Sequence, residues 1–140
     1  MILVDLNVVL DVIQRREPYY GASASVLESV VDGSAQAVLP AHCLTTLYYI
    51  VERYNDRATA RNALAWILRH FGIAPIGRAE LVRAFEFGTH DYEDAVVAAA
   101  AEAAGCTVIV TRNVQDFRGT SIDALTPEEY LSSRNPSDTH

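Results

Sequence analysis

The stretch Asp94-Ala95-Val96-Val97-Ala98-Ala99-Ala100-Ala101-Glu102-Ala103-Ala104-Gly105-Cys106-Thr107-Val108-Ile109-Val110-Thr111 decides the fold. Its first part is an alanine-rich helix, Ala95 to Ala104, which Gly105 closes. The run Thr107 to Thr111 is almost continuously apolar, as expected of a parallel strand buried on both faces. Alanine at these helical positions means close packing of the helix on a sheet. A helix leading into a parallel strand starts at the end where that strand finishes. His90-Asp91-Tyr92-Glu93-Asp94, which opens the helix, and Thr111 to Asp116, which leaves the strand, therefore share one edge.

Working outward, Ile2-Leu3-Val4 reads as a strand ending at Asp5, with helical spacing following through Val8, Val9, Val12 and Ile13. Pro18 breaks that helix. A second helix, with Tyr20, Ala24, Leu27 and Val31 on one face, stops at Gly33, and Ala37-Val38-Leu39 is a strand closed by Pro40. Ala41 to Tyr54 is rich in β-branched and aromatic residues, yet its length and the spacing Leu44, Leu47, Tyr48, Val51 favour a helix. Arg57 to Phe71 is an amphipathic helix ended by Gly72. A short strand is expected at Ile73 to Ile76, with Pro75 at its end or an edge, then a helix from Arg78 to Phe87. A last strand near Ile122 to Leu125 precedes a capped helix from Thr126 to Leu131, and residues 132–140 read as a polar, frayed tail.

Strands alternating with helices, with no hairpin dipeptide between them, indicate an α/β fold. The expectation is a three-layer α/β/α sandwich around a mainly parallel sheet of about four to five strands, one domain over residues 1–131. In such sheets, ligands collect at the carboxyl ends of the strands.

The chain has 140 residues, 18 Asp plus Glu against 11 Lys plus Arg, and a net charge of −7. Every basic residue is arginine, which excludes Walker-type phosphate loops and lysine Schiff-base chemistry. The acidic balance argues against a broad basic nucleic-acid face, so contact with a nucleic acid must be local. Cys43 and Cys106 stand apart within apolar stretches and read as buried, reduced thiols. Asp5 and Asn7 interrupt the apolar start before export-signal or membrane-span length, so a cytoplasmic protein without membrane contact is expected.

Three places at the ligand edge carry acid: Asp5; Asp91, Glu93 and Asp94; and Asp116, beside Asn113. Clustered carboxylates raise one another's pKa unless a cation compensates, and hard oxygen donors suit Mg²⁺ or Mn²⁺ rather than Zn²⁺. Simpler roles stand beside this one: Asp5 and Asp91 as helix caps, Asp116 and Asn113 as turn formers.

The same residues carry a resemblance. Ile2-Leu-Val-Asp5-Leu-Asn7-Val-Val-Leu-Asp11, Asp91-Tyr-Glu-Asp94-Ala-Val-Val-Ala-Ala-Ala-Ala and Val110-Thr111-Arg112-Asn113-Val-Gln-Asp116-Phe117 resemble, in order and spacing, the motifs of the PIN-domain family, particularly its VapC-type toxins. The resemblance implies a metal-dependent ribonuclease, a homodimer, and the toxin half of a toxin–antitoxin pair. It implies Asp5 and Asp94 as metal ligands, Asp116 and Asn113 completing the site, and Thr111 orienting the cluster. Asn7 would steady the Asp5 loop, and Asp91 would cap the helix or support the ligands from behind. The chain departs from the family where a Glu is common: Thr46 stands near the aligned position, and the next acid is Glu52. A hydroxyl can hold a metal-bound water but adds no charge, so one well-held ion is expected, a second arriving with RNA phosphate. In-line attack of an activated water on the phosphodiester is the expected reaction. The competing readings are a catalytically weak PIN-like interaction module and an Asp-dependent phosphotransfer domain, the latter disfavoured because the chain lacks lysine.

Asp11 is expected to pair with Arg15 four residues on, and Arg112 to be a surface arginine unless it meets phosphate. His42, His70, His90 and His140 show no ligand spacing. Tyr48, Tyr49, Tyr54, Trp66 and Phe71 are expected in the core; if partly exposed, they would suit a dimer or antitoxin interface.

Overall fold

The computed structural model describes residues 1–134. Five short strands, β1 (Ile2–Val4), β2 (Ala37–Pro40), β3 (Gly72–Ala74), β4 (Val108–Val110) and β5 (Asp123–Leu125), form one sheet in the order β3-β2-β1-β4-β5. Every pairing is parallel, including Leu3 with Val38 and Ile109, so the three-layer expectation holds and the sheet is wholly rather than mainly parallel. β3 begins one residue before the expected strand and ends at Ala74, where Pro75 interrupts the pairing.

Alternation along the strands sorts the core into two layers. Ile2, Val4, Leu39 and Val110 face one layer with α1 (Leu6–Ile13), α2 (Tyr20–Val31), α3 (Ala41–Tyr54) and α4 (Arg57–His70), which contribute Val8, Val26, Leu47 and Ile67. Leu3, Val38, Ala74 and Ile109 face the other layer, against Val97, Ala98 and Ala101 of α6 (Tyr92–Ala103). α5 (Arg78–Glu86) packs beside α6 through Ala84, Ala95, Val96 and Ala99. α7 (Pro127–Arg134) returns to the first layer through Tyr130.

Two expectations are corrected here. α7 continues beyond Leu131 to Arg134, whose guanidinium donates to the Ser34 carbonyl at 2.8 Å; the rest of the expected tail, 135–140, lies outside the described residues. The aromatic group does not act as one core cluster. Phe71 is buried and Tyr48 packs against the core, but Tyr49 and Tyr54 are 61% and 72% exposed and Trp66 lies at the surface. Leu47 and Val51 define the inward stripe of α3, and positions 49 and 54 fall off it.

The connections determine where a ligand fits. The chain runs outward from β1 through β2 to β3, then crosses back to place β4 on the other side of β1 and β5 beyond it. The order reverses between β1 and β4, and the crevice outside their carboxyl ends is where such sheets bind.

Ala98 is fully buried where α6 meets the sheet. Ala98→Leu should therefore overpack the interface and lower stability by about 1–3 kcal/mol. Urea unfolding checks this: the midpoint falls and the slope is unchanged.

Candidate functional site

Asp5 leaves β1 at the reversal point, and its backbone N–H still pairs with the Val110 carbonyl at 2.9 Å. Its side chain caps α1, Oδ1 accepting from the Leu6 N–H at 2.8 Å. On the neighbouring strand end, Thr111 is fully buried, and its hydroxyl donates to Asp5 Oδ2 at 2.8 Å. The same oxygen of Thr111 accepts from Asn7 Nδ2 at 3.3 Å and from the Asn113 N–H at 3.1 Å. One hydroxyl thus uses its proton and both lone pairs, and three points of the chain orient the Asp5 carboxylate. Asn7 adds a 3.4 Å contact to Asp5 Oδ2 and accepts the Arg112 N–H on its Oδ1 at 3.4 Å. The cap and the functional reading of Asp5 are thus not alternatives, since one carboxylate does both.

Asp91 caps α6, its Oδ1 accepting the N–H groups of Glu93 at 2.8 Å and Asp94 at 3.4 Å. That cap turns Asp94, in the first helical turn, toward a cavity of about 340 Å³ that Asp91, His90, Gln115, Asp116 and Arg118 also line. Asp116 comes from the 3₁₀ turn Val114–Phe117, anchored by buried Phe117. The two groups of acids share one field. Burial, then Asp91, Asp116, Asp5 and Glu93, push the Asp94 carboxyl up to about 7. Burial also raises Asp5, partly offset by the Thr111 hydroxyl and the Leu6 N–H, while Glu93 adds to the rise.

Thr46 does not join the hydrogen-bonded set: it is exposed, and its hydroxyl turns back to the His42 carbonyl at 3.4 Å. One turn earlier on α3, His42 reaches the site instead, with Nε2 3.6 Å from Glu93 Oε1. Glu93 is among the acids expected at this edge, whereas His42 does not stand out at the level of sequence spacing, and their pairing is not visible there. Their signal is positional: each lies in the first turn of a helix that starts at the carboxyl edge of the sheet. Cys43 beside them is no nucleophile, because burial, with Asp5 and Glu93 nearby, raises its thiol to about 12.

The expectations for Asp11 and Arg112 are corrected. α1 ends at Ile13, and Arg15 lies beyond it at φ 48, so the helical i,i+4 relation does not exist. Asp11 instead points inward and meets Ser23 Oγ at 3.2 Å and Arg112 Nε at 3.0 Å, which takes Arg112 off the surface. Of the remaining histidines, His70 stacks on Trp66, and His140 lies outside the described residues.

The donors at this edge are carboxylate, amide and hydroxyl oxygens, a set suited to a hard divalent cation. Among the described residues, no three His, Cys, Asp or Glu side chains close into a ready metal cage.

A family model described as PIN domain matches residues 1–115. The chain belongs to the PIN-domain family. It is 25% identical over 139 residues, 96% of this chain and 95% of the relative, to Ribonuclease VapC1 of Aquifex aeolicus. The PIN fold is shared with a solved toxin-antitoxin complex from Klebsiella pneumoniae at TM-score 0.68 and 22% identity, covering 91% of this chain and 98% of that one. It is also shared with Mycobacterium tuberculosis VapC20, described as a Sarcin-Ricin loop cleaving toxin, at TM-score 0.63 and 14% identity, covering 78% and 87%. The Asp5 and Thr111 edge lies within the part that the PIN family model matches.

The raised Asp94 carboxyl gives the fold a definite pH dependence. Between the ordinary value of 3.8 and about 7, the folded chain keeps a proton that the unfolded chain has released. The stability this confers is complete below 3.8 and is lost as pH rises through about 7. In urea unfolding with EDTA, wild type should lose stability relative to Asp94→Asn between about pH 5 and pH 8. Parallel curves for the two proteins would contradict the shared field.

Proposed function

We propose that this PIN-domain chain is a divalent-metal-dependent endoribonuclease, working in the cytoplasm as the toxin of a toxin–antitoxin pair. The observation that carries the proposal is the gathering of Asp91, Asp94 and Asp116 around one cavity at the carboxyl edge of a parallel sheet, where burial, with these acids, Asp5 and Glu93, raises the Asp94 carboxyl to about 7. A fold gains nothing from such crowding unless a cation relieves it. The relative named as a ribonuclease, the solved neighbour described as cleaving the Sarcin-Ricin loop, and the solved toxin-antitoxin complex support RNA as substrate and an antitoxin as partner.

Asp5, Asp94 and Asp116 would hold Mg²⁺ or Mn²⁺, with Asn113 completing the site. Thr111 and Asn7 fix the Asp5 carboxylate, so its oxygens need no reorganisation when the substrate arrives. Asp91 holds the first turn of α6 and, with it, Asp94. When bound, the ion supplies positive charge for the attacking and leaving oxygens of the phosphodiester. Thr46 adds no carboxylate, so the chain alone would hold one ion and a second would come with the RNA phosphate. Residues 1–131 are the catalytic unit, and two such chains pair as a homodimer. Exposed Tyr49, Tyr54 and Trp66 offer apolar surface for the dimer or the antitoxin. No helix among the described residues is long and apolar enough to cross a membrane.

The missing carboxylate at Thr46 favours one other reading, an interaction module with weak catalysis, which calorimetry with Mn²⁺ separates by finding no metal binding. The direct test is cleavage of structured RNA by the purified protein. With Mn²⁺ the chain should cut, EDTA should abolish cutting, and Asp5→Asn or Asp94→Asn should slow it roughly 100-fold or more. Cleavage that persists unchanged in both variants would sink the proposal.

A further inference from the structure

Asp11 is fully buried, and its role lies outside the carboxylate edge. Its Oδ2 accepts from Ser23 Oγ at 3.2 Å and forms an ion pair with Arg112 Nε at 3.0 Å, while Asp11 Oδ1 and Arg112 Nε are both buried without a hydrogen-bond partner. The Arg112 guanidinium lies 4.3 Å from the centre of the Tyr19 ring, and the arginine side chain is only 23% exposed. Arg112 is thus gripped by α1 and by the turn before α2, and its backbone N–H donates to Asn7. Its chain neighbours are Thr111, whose hydroxyl holds the Asp5 carboxylate, and Asn113, whose N–H holds that hydroxyl.

The geometry explains what such a grip accomplishes. Asp5 and Asp11 stand at the start of α1 and less than two turns along it, roughly 9 Å apart at the rise of an α-helix. The segment leaving β4 is tied to α1 at both points, to Asp5 by Thr111 and to Asp11 by Arg112. The contacts to Asp5 and Asn7 all fall at the start of α1, whereas the Asp11 contact adds a hold more than a turn further along, which sets the twist of the segment and its slide along α1. A buried ion pair is a poor source of stability, since apolar residues of similar volume often do as well; its charge specifies position instead. The Tyr19 ring and the Asp11 carboxylate already engage one face and the Nε edge of the guanidinium.

We propose that Asp11 and Arg112 form a clamp that keeps Thr111 and Asn113 in register with Asp5, which makes both of them positioning residues and not RNA contacts. The catalytic consequence rests on the nuclease reading; the clamp itself does not.

Hydrogen exchange, which needs no RNA, tests the clamp first in Arg112→Met, Asp11→Asn and the milder Arg112→Lys, a charge without the fork. Exchange of the Asn113 amide and the rest of residues 111–116 should quicken at least about tenfold in Asp11→Asn and Arg112→Met, with β1 amides still protected. Unchanged exchange in every folded variant overturns the clamp. If Arg112→Met does not fold, Arg112→Lys and Asp11→Asn carry the same comparison.

RNA cleavage is the second readout. Both single variants should lower kcat about tenfold or more with KM within about threefold, and the double variant should be no worse than the poorer single one. A raised KM for Arg112→Met, with the salt dependence of binding reduced by about one phosphate contact and Asp11→Asn cutting like wild type, overturns the clamp in favour of RNA contact. A wild-type chain that binds Mn²⁺ but never cuts RNA overturns the nuclease reading instead, and the exchange result still decides the clamp.

Discussion

The hydrogen bond from the Thr111 hydroxyl to the Asp5 carboxylate is the constraint on which the rest of the site depends. It joins the ends of β1 and β4, two strands brought side by side only because the connection after β3 crosses back over the sheet. Thr111 is buried, so its hydroxyl must be satisfied within the protein, and Asp5, Asn7 and Asn113 together satisfy it. Any displacement of β4 relative to β1 would leave a buried hydroxyl and a half-buried carboxylate short of partners. The apolar core below and the polar network above therefore enforce the same strand register.

Around that fixed point the chain gathers charge that the fold alone does not need. Asp91 is well used as a cap, and Asp5 caps α1, but neither role calls for Asp94 and Asp116 to face the same cavity. The outcome is a carboxyl raised to about 7 in the folded chain. On the proposed function, a cation bound there would relieve this crowding and give an RNA phosphate one local positive spot on a protein of net charge −7. The acidic composition that argues against a broad nucleic-acid face is compatible with a narrow one.

Much of this was legible in the amino-acid order. Ile2 to Val4 and Val108 to Val110 are strands because their apolar runs have no polar face to offer water, and the small side chains of α6 announce close contact with a sheet. The direction of a helix feeding a parallel strand was enough to bring Asp5, Asp94 and Asp116 to one edge. Asp11 and Arg112 were not legible, because their partnership spans about a hundred residues and the local alternative, Arg15, is ruled out only by where α1 ends. The pairing of His42 with Glu93 escaped for a similar reason: their meeting depends on how α3 and α6 sit against the sheet, which neither helix encodes by itself. The exposed Tyr49 and Tyr54 show the opposite limit, since aromatic composition says nothing about which side of a helix a residue takes.

What the sequence by itself determined was the period of each element, the parallel character of the sheet and the edge where acid collects, since these follow from local hydrophobic pattern and chain direction. What only the tertiary structure decided was which side chains share protons and charge: Thr111 with Asp5, Asp94 with its four acidic neighbours, and Asp11 with Arg112. Hydrogen bonds and ion pairs act over a few ångströms. Sequence separation carries no information on that scale until the sheet has closed the distance.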